Sequence, residues 1–247
     1  SFLCTGSLLN DTSNSTTPYF LTANHCLSTQ SVASTLQTFW FYRSTFCGSG
    51  VLNPGYQTRT GGATLLFTQS ATDTTLLRLN NTPPSGVSFL GWTTAVPVQG
   101  TSLASLHHPR GDTTKISLAN LSYYANCSTT QCFSGPLSST SYLGVNWSSG
   151  VVEPGSSGSA LFWPDGGRQY VIGQLLGGSS SCSEPDGTDF YGRFDKAYVA
   201  GMGQFLNAPP PDTPPVDEPD APADEPVILP TEPEQQRAAI YRFYNTR

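Results

Sequence analysis

The sequence predicts an all-β protein, and three observations predict it. Short runs of β-branched and aromatic residues recur along the chain, separated by Gly, Pro, Asn and Ser. The polar character of the 247 residues comes from Ser, Thr and Asn, since only 11% are charged and 24 are glycine, a balance that suits exported β-rich proteins. Only residues 194–206 have a helical look. Many short strands with this punctuation build a sandwich or a pair of barrels.

Taken in order, Tyr19-Phe20-Leu21-Thr22-Ala23 is an apolar run followed by Asn24-His25-Cys26, so a strand delivers His25 at its end. Residues 36–42 and 63–67 read as the next strands, and Asp73 stands at the head of the apolar strand 74–79. Residues 103–106, 143–147, 160–163 and 170–176 complete the set. Ahead of the strand at 160 lies Gly155-Ser156-Ser157-Gly158-Ser159, a glycine-rich turn with a hydroxyl at its centre. Gly155 and Gly158 free the backbone to take positive φ and to crowd a substrate carbonyl. The amides of Gly155 and Ser157 then form a donor pair for a developing oxyanion.

Charge and hydropathy exclude several classes of function. A net charge of −6 without a basic stripe argues against nucleic acid as a partner. No apolar run approaches the length of a membrane span. Nothing calls for a metal or another cofactor: six cysteines are present, but no CxxC spacing.

The order His25, Asp73, Ser157 carries chemistry. Singly, each has an ordinary reading: a histidine capping a turn, a loop acid, a linker serine. Together they follow the order of the chymotrypsin arrangement, whereas the other convergent Ser-His-Asp enzymes run Asp-His-Ser or Ser-Asp-His. Their flanks agree. Cys4-Thr5-Gly6-Ser7-Leu8-Leu9-Asn10, residues 20–26, 73–80 and 153–159, His107-His108-Pro109, Gly173-Gln174-Leu175 and Asp189-Phe190-Tyr191-Gly192-Arg193 occur in register. On these motifs the chain resembles the trypsin-like serine proteases of the chymotrypsin superfamily, and most of all the secreted bacterial lysyl endopeptidases.

The resemblance implies two six-stranded Greek-key barrels with a C-terminal helix, the site lying in the cleft between them. It implies a monomeric, secreted, cofactor-free endopeptidase acting on peptides or proteins. His25, Asp73 and Ser157 would be catalytic, with Gly155 and Ser157 as the oxyanion hole. It also implies that Cys4 pairs with Cys26 beside the catalytic histidine. Cys127 and Cys132 are near enough in sequence to form a local clasp. Cys47 and Cys182 match positions whose partners lie in an N-terminal segment, and otherwise pair with each other or stay free. Residues 1–207 would be the protease domain, with its N-terminal strand missing. Residues 208–234 form a proline-rich acidic linker, extended and without a core. Residues 235–247 open an aromatic-rich repeat module or form a disordered tail.

Specificity is read from two positions. Trypsin's pocket acid falls on Val151, which offers no charge, whereas the acid of the lysyl endopeptidases falls on Asp189. A buried carboxylate there favours lysine, or arginine, before the cut; the ordinary reading joins Asp189 to the acidic loop of Glu184 and Asp186. Leu176, with Gly177 and Gly178, lies along the substrate path, and Leu176 stands where the best-known relatives carry histidine. Ser156 replaces the aspartate that animal trypsins pair with a new N-terminus. His107 and His108 read as structural, with a buried ring bonded to backbone. The competing function classes are a peptide-binding pseudoprotease and an adhesive protein acting through C-terminal repeats.

Overall fold

The computed structural model describes residues 2–128, 131–207 and 240–245, the last of these as backbone. The first half contributes β1 (Phe2–Leu9), β2 (Tyr19–Ala23), the short helix α1 (Gln30–Ala33), β3 (Leu36–Trp40), β4 (Gln57–Arg59), β5 (Ala63–Gln69) and β6 (Thr74–Leu79). The second contributes β7 (Ser102–His107), β8 (Lys115–Cys127), β9 (Cys132–Ser134), β10 (Tyr142–Ser149), β11 (Ala160–Asp165), β12 (Arg168–Gly178) and β13 (Thr188–Arg193). Helical turns α2 (Phe194–Ala197) and α3 (Gly203–Leu206) follow, and then β14 (Ile240–Asn245).

The second sheet closes on itself, because β10 pairs with β13 on one side and with β8 on the other. The ring β10-β13-β12-β11-β7-β8 is a six-stranded barrel, and β9 extends β8 as a hairpin outside it. Closure removes the free edges that an open sheet would expose. The first sheet departs from the expected six strands. Its order is β4-β3-β14-β1-β2-β6-β5, with β14 antiparallel to both β1 and β3. Its ends come together at Gly62, whose amide donates to the Leu36 carbonyl at 3.2 Å and whose carbonyl accepts the Asn80 amide at 3.1 Å. Residues 240–245, inside the segment 235–247 expected to open a repeat module or form a disordered tail, are this added strand. The linker at 208–234 lies outside the described residues.

Three cores hold the molecule together, and alternation along the strands decides which side chain joins which. Leu8, Phe20 and Leu77 pack with Leu36 and Trp40 inside the first sheet. Their neighbours Leu9, Leu21 and Leu76 turn the other way, onto Phe162, Val171, Phe194 and Met202. Successive residues of a strand face opposite sides, so β1, β2 and β6 are buried on both. That is why β2 is an unbroken buried run instead of an alternating one. Leu103, Leu121, Leu143, Val145 and Tyr191 fill the closed barrel. The helical turns seat Phe194, Ala197, Met202 and Leu206 on the middle core, with a π turn over Tyr198–Met202 relieved at Gly201 (φ 131°).

Both expected disulfides form, Cys4 with Cys26 and Cys127 with Cys132. The first ties β1 to the turn after β2, and closing a loop of this length contributes about 3 kcal/mol in the chain-entropy view. Cys47 and Cys182 are exposed free thiols and do not pair with each other.

Candidate active site

His25 leaves the end of β2, and Asp73 enters β6 from a tight turn over Ser70–Thr72. The register of β2 on β6 sets Ala23 opposite Thr74, so these two flanking residues are neighbours. Asp73 takes left-handed backbone (φ 50°), which aspartate tolerates better than most residues. Its Oδ2 lies 2.7 Å from His25 Nδ1 and its Oδ1 accepts the His25 amide at 2.8 Å. The carboxylate is 6% exposed and the imidazole 42%. Because an ionised carboxylate only accepts, Nδ1 donates and the neutral ring keeps its lone pair on Nε2. Nε2 lies 3.7 Å from Cys26 Sγ.

The second barrel braces this acid from behind. Gln174 of β12 donates its Nε2 to the carbonyls of Thr72 at 2.8 Å and Asp73 at 3.2 Å. Gly192 of β13 makes the approach possible, since a β-carbon there would overlap the Thr72 carbonyl. Burial, with the negative charge of Asp73, pushes the nearby Tyr142 phenol up to about 12.

The turn 155–159 is pinned by its carbonyls. Pro154 O accepts the Arg110 amide at 2.6 Å, and Ser156 O accepts the Ser159 amide at 3.0 Å. Across a planar trans peptide the N–H points opposite to the C=O, and the chain has no cis bond. The amides of Gly155 and Ser157 therefore point away from these anchors, and neither donates to an acceptor among the described residues. Gly155 (φ 98°) presses on the turn after β7, where a β-carbon would sit 2.9 Å from His108 O. Gly158 (φ 82°) presses on β1 and β2, where one would overlap Thr5 O and Thr22 Oγ1.

Ser157 is half-buried, and its Oγ has no hydrogen-bond partner among the described residues, His25 included. The link to His25 runs through the backbone instead. Thr5 donates its amide to Ser157 O at 2.8 Å, and its neighbour Cys4 is bonded to Cys26, the neighbour of His25.

A cleft of about 1070 Å³ opens in front of His25 and Asp73, walled by Leu176, Gly177, Gly178 and Phe190 and by the clasp of Cys127 and Cys132. Leu176 sits at a bulge where the β12–β13 register shifts between Leu175 and Gly177, the kind of irregularity that re-aims a side chain beside a site. Asp189 is 1% exposed and lies behind Gly178, where a β-carbon would collide with its Oδ1. Its Oδ2 accepts Trp147 Nε1 at 2.6 Å. Burial pushes this carboxyl above the usual carboxylate range, opposed by hydrogen bonds from Ser180 and Trp147. No cation pairs with it among the described residues. Asp189 is therefore no part of an exposed acidic loop.

The family profile "Lysyl endopeptidase, C-terminal domain" matches residues 1–192. The chain belongs to the lysyl endopeptidase family. A lysyl endopeptidase of Pseudomonas aeruginosa is 39% identical over 204 residues, covering 80% of this chain and 42% of that relative, so the chain spans less than half of the relative's length. Among solved structures, the protease domain of MamO from Magnetospirillum magneticum aligns with a TM-score of 0.50 at 11% identity, covering 81% of this chain and 87% of that one. The inactive form of Rv3671c from M. tuberculosis aligns at 0.47 and 16% identity, covering 85% and 84%. The MamO likeness supports the fold.

Two residues stand apart from the reading of the sequence. His107 was expected to bond to backbone, as His108 does through its Nδ1 to the Asp112 carbonyl at 3.0 Å. Instead its ring lies between two hydroxyls, at 2.8 Å from Ser156 Oγ and 3.0 Å from Ser117 Oγ. Trp147, which no motif marks, reaches Asp189 because β10 pairs with β13 through Val145 opposite Asp189, and Trp147 stands two residues further along the same face.

Proposed function

We propose that this lysyl endopeptidase-family chain is a secreted, monomeric serine endopeptidase domain that cleaves peptides and proteins after lysine. The observation that carries the reading is the buried Asp73 carboxylate holding Nδ1 of the half-exposed His25 at 2.7 Å. That bond fixes one tautomer and stabilises the imidazolium, leaving Nε2 to take the proton from Ser157 Oγ as it attacks the peptide carbonyl. The tetrahedral oxyanion forms against the free amides of Gly155 and Ser157. Nε2 then protonates the leaving amine, and water resolves the acyl enzyme by the same proton transfers in reverse.

Asp189 supports the preference for lysine. An ionised carboxylate buried without a cation is unfavourable, and a substrate ammonium reaching it past Gly177 and Gly178 offsets that cost. Two disulfides support an oxidising, extracellular setting, and no helix among the described residues is long and apolar enough to cross a membrane.

The test is to incubate the full chain with a peptide library and map the cuts by mass spectrometry, alongside Ser157→Ala and Asp189→Ser. Cuts follow lysine in the parent, vanish in the first variant and lose their basic preference in the second. A Ser157→Ala variant that cuts like the parent refutes the mechanism, and an Asp189→Ser variant that keeps its preference refutes the pocket.

A further inference from the structure

Among the buried titratable side chains that the proposed chemistry leaves unused, His107 is bonded directly to the serine turn. His107, the last residue of β7, is 1% exposed, and its hydrogen bonds permit a single proton arrangement. Ser117 Oγ lies 3.0 Å from the Val151 carbonyl, which can only accept, so the Ser117 proton is committed there. His107 Nε2, 3.0 Å from the same Oγ, therefore carries a hydrogen and donates it. Nδ1 is then bare and accepts the Ser156 hydroxyl at 2.8 Å. Ser156 Oγ in turn accepts the Glu153 amide at 3.3 Å. Every member of the chain is satisfied, and both its ends fall on the segment 151–156 that leads into the serine turn.

We propose that His107 is a positioning residue for the oxyanion hole: through Ser156 it holds the peptides on either side, and so the aim of the Gly155 and Ser157 amides. The inference rests on reading Ser157 as the nucleophile. Ser156 is the only residue between the two donors, so freedom at its side chain becomes freedom at both amides. The titratable neighbours of His107 are His108 and Lys115; with burial dominant, they hold its ring neutral down to about pH 3. The brace is therefore unchanged across the whole range in which such an enzyme would work.

Kinetics on a lysyl ester, with binding of a lysyl peptide aldehyde that forms a tetrahedral adduct, test this on the full chain. His107→Phe and Ser156→Ala each lower kcat about 10- to 100-fold, less than the roughly 100- to 1000-fold that outright loss of an oxyanion donor costs because the amides are loosened and not removed, while KM stays within about twofold. Aldehyde affinity falls with kcat. His107→Asn, which keeps an acceptor near the Nδ1 position, recovers most of the rate. The double variant is no slower than the slower single one, because both changes cut the same link. Parental kcat in folded single variants overturns the proposal. So do losses that multiply in the double variant, or a KM that rises in step with the fall in kcat. Should His107→Phe fail to fold, Ser156→Ala removes a single oxygen and decides alone by the same kcat criterion. Failure of the nucleophile reading shows separately, as an active Ser157→Ala control, and takes the inference with it.

Discussion

Thr5 of β1 donates its backbone amide to the carbonyl of Ser157, 2.8 Å away across the boundary between the two sheets. Its side chain works in the same direction: Oγ1 donates to the Gly155 carbonyl at 2.9 Å and accepts the His108 amide at 3.2 Å. Thr5→Val keeps the volume and strands both partners in a buried site. We expect a loss of about 1–3 kcal/mol in stability and a fall in kcat that exceeds any change in KM. Urea unfolding, read as a shifted midpoint at constant slope, checks the first, and ester kinetics the second. A variant unchanged in both would remove Thr5 from the support of the turn.

Gly158→Ala tests the close approach of the turn to the first sheet. The added methyl meets backbone at Thr5 and Ala23, which cannot rotate aside, at a φ of 82° that alanine resists. Displacing Ser157 by about 1 Å costs on the order of 100-fold in rate. Near-parental turnover would show that the turn has slack.

Asp189→Asn separates recognition from stability. Burial raises the Asp189 carboxyl pKa, so the native state binds its proton more tightly than the unfolded chain does, and the ionised form costs stability above the folded pKa. Asparagine still accepts from Trp147 Nε1 and removes that charge. The expected outcome is higher stability at neutral pH, because the penalty on the ionised form is gone, together with loss of lysine preference. Parent and variant are compared by thermal melts at pH 7 and by cleavage maps; a less stable variant contradicts the account.

His107 makes stability depend on pH in the opposite sense. Its pKa falls from 6.5 to about 3 on folding, mainly through burial. Between those values the unfolded chain takes up a proton that the native chain refuses, so stability is full above pH 6.5 and is lost as pH falls toward 3. The slope is up to roughly 1.4 kcal/mol per pH unit. His107→Asn flattens it by about one proton, measured from unfolding free energies between pH 4 and 7. Equal slopes in parent and variant would assign the acid sensitivity elsewhere.

What the sequence revealed, and what it hid, follows from where each signal resides. The strand Thr74–Leu79 is legible to the residue because its apolar run is continuous and headed by an acid. The cysteines beside His25 and the glycines around Ser157 are likewise local signals. The longest strand, β8, is hidden: Ile116 and Leu118 face outward at 62% and 45% exposure, while Ser117 and Ala119 face in. The hydrophobic pattern there points to the wrong side. The links from His107 to Ser156 and from Trp147 to Asp189 exist only once β7 meets the serine turn and β10 pairs with β13. No spacing within one segment encodes them.

The two-sided burial of β1, β2 and β6 bears on how the molecule comes apart. Leu9, Leu21 and Leu76 belong to a core completed by residues from the second sheet and the C-terminal helical turns. Peeling the sheets apart would wet that core while leaving the first sheet's interior intact, so separation is a costly partial opening and neither barrel is a free-standing unit. Amides of β2 and β6 should exchange with solvent only when the whole domain unfolds. His25 and Asp73, at the ends of those same strands, inherit the slowest-opening part of the protein as their foundation.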